Sequence, residues 1–238
     1  MSGAAQAQPD FNFLVGGSFG YAVRTGDVTT EMDYRNPARE PGAFLTHTKN
    51  LFKDNGTIWG VLAGGQLRCS DWLLGLELGY DRHNLDEAHQ QPFADRIGFV
   101  PVISQGWLAS SRYEVGDVLS LSLRWGYVIT KYLLPYIRIG AETSKDKLTV
   151  NYIGVNNYPY TLTNLHEKRT YRFLGGLGFE VPLISEKLKF RGEYSFHVEG
   201  KPLHAEGFII DGVRDPNFIN EARPRTHAIK AAIVWNVG

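Results

Sequence analysis

Phe11-Asn12-Phe13-Leu14-Val15-Gly16-Gly17-Ser18-Phe19-Gly20-Tyr21-Ala22-Val23-Arg24 is the stretch whose period decides the fold class. Its odd positions read Phe, Phe, Val, Gly, Phe, Tyr, Val, and its even positions Asn, Leu, Gly, Ser, Gly, Ala, Arg. A period of two places alternate side chains on opposite faces of a strand. Fourteen alternating residues exceed the usual strand of about five or six.

The same alternation recurs along the chain. Gly56–Cys69 places Trp59, Val61, Ala63 and Leu67 against Gly60, Gly64, Gln66 and Arg68. After the tight link Ser70-Asp71 come Trp72, Leu74, Leu76, Leu78 and Tyr80, opposed by Gly75, Glu77, Gly79 and Asp81. Leu119–Tyr127, Leu133 to about Val150, Tyr171–Val181, Leu188–Val198 and Thr226–Asn236 repeat it. That makes eight strands, and no stripe of period 3.6 competes with them.

Composition alone suggests something plainer. The chain has 238 residues with 25 Lys+Arg and 25 Asp+Glu, so no bulk charge recruits nucleic acid. Its one cysteine, Cys69, excludes an intrachain disulfide framework. Mean hydropathy is −0.24, and no run of about 18 apolar residues supplies a membrane helix. Residues 1–10 are small and polar, with neither basic nor apolar leader regions, and read as a flexible N-terminus ahead of a barrel domain at 11–238.

The two faces point elsewhere. The apolar face carries Phe, Trp, Leu, Tyr and Ile, while the opposite face mixes charges with Gly16, Gly20, Gly60, Gly64, Gly75, Gly79, Gly126, Gly140, Gly176 and Gly178. Glycine weakens a solvent-facing strand but suits a crowded concave wall. The links at 70–71, 130–132 and about 182–187 are short; those at about 26–55, 84–114, 151–168 and 200–224 are long. Short turns at one end, long loops at the other and an even strand count are the marks of a transmembrane barrel. With both termini at the short-turn end, Phe11, Trp72, Trp125, Tyr127, Phe179, Phe190 and Trp235 fall at one height. Phe19, Tyr21, Trp59, Tyr80, Tyr171 and Phe196 fall at another. Two aromatic girdles around an aliphatic band are what the two bilayer interfaces select.

The sequence predicts an all-β fold: one eight-stranded antiparallel up-and-down transmembrane β-barrel with long extracellular loops. Leu121–Ala141, Phe173–Val181 with Leu188–Phe196, and Gly60–Gly79 resemble strands of the bacterial outer-membrane β-barrel superfamily, which includes the opacity proteins and the OmpA transmembrane domain. Members of that superfamily usually end on Phe, whereas this chain ends Val234-Trp-Asn-Val-Gly238, with Trp235 as its last aromatic. The resemblance implies an integral protein of a Gram-negative outer membrane. It implies partners in the lipid bilayer and lipopolysaccharide, and in an extracellular or host-surface ligand, with the chain a monomer that acts through its loops in adhesion or serves as a structural membrane component.

Twelve charges are expected inside: Arg68, Glu77, Asp81, Arg124, Arg138, Glu142, Arg172, Glu180, Lys189, Arg191, Glu193 and Lys230. An eight-strand lumen is just wide enough to be filled by side chains, so these groups are read as a salt-bridge plug, with a narrow pore as the alternative. A lipid-A-modifying barrel enzyme is the other alternative, because Glu193, Ser195 and His197 alternate on one inward face. Straight-strand spacing of about 6.8 Å argues against a Ser–His hydrogen bond there. The chain is therefore read as no enzyme, and no cofactor is expected. His47, His83, His89, His166, His204 and His227 show no metal-ligand spacing.

Lys53-Asp54 and Glu167-Lys168-Arg169 read as solvated loop charge, with the cations placed to meet lipopolysaccharide phosphates. Of the loops, the first is acidic and turn-rich (Asp27, Glu31, Asp33, Pro37, Glu40-Pro41-Gly42) and the second holds the apolar run Ile97–Ile103. The third is rich in Tyr and Asn (Asn151-Tyr152, Asn156-Asn157-Tyr158-Pro159-Tyr160), the composition of adaptable recognition surfaces. The fourth, Ile209–Ile219, is mixed.

Overall fold

The structure is a computed structural model, and it describes residues 10–34, 44–85, 88–93, 106–155, 161–185, 187–199, 202–208 and 217–237. The expected loop segments Pro37, Glu40-Pro41-Gly42, Ile97–Ile103, 156–160 and 209–216 lie outside these residues.

Ten strands form: β1 (Asp10–Tyr34), β2 (Phe44–Cys69), β3 (Trp72–His83), β4 (Ala88–Phe93), β5 (Gly106–Tyr127), β6 (Leu134–Val155), β7 (Thr161–Ser185), β8 (Leu188–Glu199), β9 (Leu203–Phe208) and β10 (Asn217–Val237). Their order β1-β2-β3-β5-β6-β7-β8-β10 closes when β10 pairs with β1. β4 continues β3 along β5, and β9 continues β8 along β10, so ten strands make eight staves.

The boundaries read from the sequence require correction. Much of the spans 26–55, 84–114, 151–168 and 200–224 is strand, continuing the barrel wall above the predicted girdles. Charged and polar residues interrupt the apolar alternation there, because that part of the wall no longer faces lipid.

The register leads from Leu14 through Gly64, Glu77, Ser122, Gly140, Leu174, His197 and Thr226 back to β1 at Arg24, ten residues further on. A shear of ten over eight strands sets a tilt of about 43° and a radius of about 8 Å. A ring of that radius is narrow enough for inward side chains to crowd its interior. The crowding explains the inner glycines: a Cβ on Gly20 would lie 2.1 Å from the Ile229 carbonyl oxygen, and one on Gly60 2.2 Å from Asp81 Oδ1.

Alternation is clean on β3, where Trp72, Leu74, Leu76, Leu78 and Tyr80 are exposed and the residues between them buried. At the short-turn end Trp72 stacks on Trp125 at 5.4 Å and meets Tyr127 edge-on at 4.8 Å. From Trp72 to Tyr80 the wall rises about 20 Å along the barrel axis, the scale of the apolar band of a bilayer-spanning barrel.

The β2–β3 turn is tight, with Cys69 paired to Trp72 and Ser70 at φ 56°. A left-handed residue with a side chain is strained where glycine is not. Ser70→Gly should therefore raise the unfolding free energy by about 0.5–1 kcal/mol, read from urea titration of the barrel refolded in vesicles.

Candidate functional site

The lumen is where the sequence placed its chemistry, and it carries a ladder of ion pairs interleaved with apolar clusters. Near the short-turn end Leu73, Leu134, Tyr136 and Val128 pack together. Higher up, Ala22, Ile58, Leu85 and Ala228 form a second layer.

Between the layers sits a four-membered charge cluster. Arg124 donates to Glu77 Oε1 at 2.5 Å and to Glu180 Oε1 at 2.6 Å. Arg191 donates to both Glu77 oxygens at 2.9 Å and to Glu180 Oε1 at 2.8 and 3.1 Å. Lys189 adds a bond to Glu180 at 3.3 Å. The Tyr136 ring lies beneath both guanidinium groups, 4.2 Å from Arg124 and 5.6 Å from Arg191. Bidentate, charge-assisted contacts of this kind are what make buried charge tolerable.

Above the cluster, Arg138 donates to Glu193 at 2.7 Å and to Ser122 at 2.8 Å, while Tyr136 Oη donates to Glu193 at 2.7 Å. Lys230 meets Asp81 at 3.0 Å. Higher again, Asp146 accepts from Ser144 at 2.5 Å, from Thr170 at 2.8 Å, and from Tyr113 and Arg172. At the top, Arg24 is paired with Asp54 and donates to the Tyr113 carbonyl at 2.8 Å.

Eleven of the twelve expected inward charges occupy this ladder; Arg68 does not. Its side chain has the inward parity of Gln66, but it stands at the mouth, exposed, donating to the Ser70 carbonyl at 3.3 Å. Asp54 corrects the sequence reading in the other direction: it is buried, not a solvated loop charge. Arg24, Asp54 and Asp146 are interior charges that the expected set omits. Their parity, shared with Gly20, Ile58 and Glu142, was the available signal. At the short-turn end a vestibule of about 270 Å³, bordered by Arg68, Lys131 and Lys187, ends on Leu73, Leu134 and Glu180.

One arrangement departs from the expected spacing. Ser195 Oγ lies 3.0 Å from His197 Nε2, and His197 Nδ1 lies 2.7 Å from Glu142 Oε2. The imidazole reaches down its own strand across the gap that backbone spacing alone would leave. The acidic partner is Glu142, since Glu193 is engaged with Arg138 and Tyr136. A hydroxyl, an imidazole and a carboxylate in series form a nucleophile–base–orienter relay. Ser195, however, has 0% exposure, and Arg172 stands 3.7 Å from Glu142. In this arrangement Ser195 presents no surface to a substrate. No group of three or more His, Cys, Asp or Glu side chains among the described residues is placed to hold a metal ion.

The predicted girdle residues lie on the outer wall. Phe11, Phe19, Tyr21, Trp59, Trp72, Tyr80, Trp125, Tyr127, Tyr171, Phe179 and Trp235 are exposed there, while Phe190 and Phe196 are half-buried. Three aromatics cover outward glycines: Phe11 over Gly65, Phe196 over Gly175 and Phe179 over Gly192.

No family model and no curated protein matches the chain. Solved structures do. The chain is similar to Neisserial surface protein A (10% identity, TM-score 0.38, covering 90% of this chain and 96% of that one). It is similar to the outer membrane protein OprG from Pseudomonas aeruginosa (13% identity, TM-score 0.45, 94% and 95%). It is also similar to the outer membrane protease OmpT from Escherichia coli (9% identity, TM-score 0.45, 95% and 97%). Closed by β10 on β1, with charged side chains inside and apolar ones outside, the chain is an eight-stave antiparallel up-and-down β-barrel of the transmembrane kind.

Proposed function

We propose that this outer-membrane surface barrel is sealed, and that it acts through the part of its wall standing beyond the membrane. The observation that carries the reading is the Glu77–Arg124–Glu180–Arg191 cluster. Its four side chains are buried and hydrogen-bonded to one another across the barrel. The vestibule below it stops at Glu180.

In planar bilayers the protein should give no discrete conductance steps. The Glu77→Ala/Arg191→Ala variant, which deletes two sides of the cluster, should give them. Steps from the unaltered protein would establish the narrow-pore alternative instead.

The extramembrane wall supports the second half of the proposal. β1 continues from Tyr21 to Tyr34, paired on both sides, which raises it about 30 Å above the upper girdle. Built structure on that scale at one end suits contact with an extracellular surface. Escherichia coli cells displaying the chain should attach to immobilised matrix glycoproteins, and a version with residues 27–52 replaced by a two-residue turn should not. Equal attachment by the two versions would overturn the role of this wall.

We read the barrel as no hydrolase, because Ser195 is fully buried despite its relay geometry. A fluorophosphonate probe should leave the folded protein unlabelled. Labelling that disappears in Ser195→Ala would reverse that reading.

A further inference from the structure

The vestibule at the short-turn end carries charge that the ladder above it does not use. Four cations line it, Arg68, Lys131, Lys187 and Lys189, against two acids, Asp10 and Glu180. Glu180 is spent on Arg124, Arg191 and Lys189. Asp10 accepts from Asn12 at 2.9 Å. Arg68, Lys131 and Lys187 are exposed, and none of them forms an ion pair among the described residues. The recess at the β5 bulge is different, because its charges are matched: Lys145 faces Glu167 at 3.8 Å and Lys147 faces Glu114 at 3.6 Å.

Inside the vestibule one amide is half used. Gln66 is 4% exposed, its Nε2 donates to Asn236 Oδ1 at 3.3 Å, and its Oε1 accepts from no described residue. Turning both amides over exchanges the roles and still leaves one group of Gln66 over. Buried polar atoms are normally paired, so an orphan amide group in a recess marks a place where a second amide fits. The walls around it are apolar, with the buried Leu73 and Leu134 within and the exposed Tyr132 and Leu133 toward the mouth.

We infer that the vestibule is a binding site for a small carboxylate that carries an amide and an apolar group, the chemistry of an N-acylated amino acid. Arg68 follows Gln66 by two positions on β2, about 7 Å along the strand. A carboxylate one carbon away from an amide therefore reaches the rim while the amide meets Gln66. Arg68 and Lys187 then hold the carboxylate through charge-assisted hydrogen bonds, and the acyl group covers Leu73 and Leu134. Size and direction choose a free molecule over the end of a peptide chain. The volume of about 270 Å³ lies just under the roughly 300 Å³ at which drug-sized pockets begin. A peptide's last residue offers the same groups, but its chain would continue from the acyl side into the floor at Glu180. That choice rests on the sealed reading of the lumen; the site of cations and amide does not.

The test uses the folded barrel in deuterated detergent, with hippurate (N-benzoylglycine) as the probe and Kd read from saturation transfer to the ligand. The parent should bind hippurate about tenfold more tightly than benzoate, which lacks the amide, or hippuramide, which lacks the charge. Arg68→Ala/Lys187→Ala should weaken hippurate about tenfold, and Gln66→Leu, which keeps the size and removes the orphan, several-fold. Arg169→Ala, which removes a cation of the extramembrane wall, should stay within about twofold. The heat-modifiable band of the folded barrel checks that each variant has folded. The inference is overturned if the parent does not bind hippurate, if benzoate and hippuramide bind as well, or if both vestibule variants bind as the parent does. An octapeptide ending Phe-Gly that binds as tightly as hippurate would overturn the choice of a free molecule. Conductance steps from a parent that still binds hippurate would sink the sealed reading alone.

Discussion

Arg191→Met should lower the unfolding free energy of the vesicle-inserted barrel by about 3–5 kcal/mol, measured by urea titration of tryptophan fluorescence. Arg191 donates four hydrogen bonds within the central cluster, two to Glu77 and two to Glu180. Methionine fills much of the space but leaves Glu77 with one remaining donor among those bonds, from Arg124. The loss is therefore dominated by a buried carboxylate left short of partners, which is the expensive case, and not by the net worth of the ion pair. Glu77→Leu/Arg191→Met should accordingly recover part of the loss, because it removes the stranded charge together with its partner. The magnitude also reports on the lumen. A cost under about 1 kcal/mol would mean that water solvates Glu77 in the variant, and the sealed reading would fall.

The wall of this barrel is legible in the sequence because one physical demand acts on every second residue. Lipid accepts only apolar side chains on the outer face, so the outward positions of Phe11–Arg24 and Trp72–Asp81 carry no charge, even where Leu14, Ala22 and Leu73 make the inward face apolar too. Where the wall leaves the bilayer the demand lapses, and that is where the reading stopped short. β1 continues to Tyr34 and β2 begins at Phe44, yet both segments look like loops because charged and polar residues interrupt the apolar alternation in their sequence. Asp54 was misjudged for that reason alone.

The pairing inside is a different matter. Glu77 and Arg191 are 114 positions apart, and Asp81 and Lys230 are 149 apart. Their meeting depends on a shear of ten residues around the closed ring, which no local pattern encodes. Arg68 shows the complementary error, since parity says which face a residue is on but not whether the barrel still encloses it there. Ser195 and His197 show a third, because backbone spacing ignores how far an imidazole can lean along its strand.

Glycines at 175 and 178 supply a sharper test of what the lumen does, because the same small addition meets an aromatic ring at 2.3 Å in both places. A Cβ on Gly175 would lie 2.3 Å from the Phe196 ring, and a Cβ on Gly178 2.3 Å from the Tyr136 ring. Phe196 is on the outer wall and can rotate into lipid, so Gly175→Ala should cost under about 1 kcal/mol. The loss of ring packing there is partly offset by the smaller entropy of the unfolded chain. Tyr136 has no such freedom. Its hydroxyl is bonded to Glu193 at 2.7 Å, its ring supports Arg124 and Arg191, and Leu73 and Leu134 pack beside it. A Cβ at 178 would also stand 2.8 Å from the Gly192 carbonyl oxygen, so backbone as well as side chain must yield. Gly178→Ala should therefore cost about 3 kcal/mol, the upper end for overpacking. In Gly178→Ala/Tyr136→Leu the two losses should sum to clearly less than additive, because the second change removes the ring that the first displaces. Equal costs at 175 and 178 would show that the inside of this barrel yields as readily as its lipid-facing side. A lumen that soft could not hold the Glu77 cluster closed.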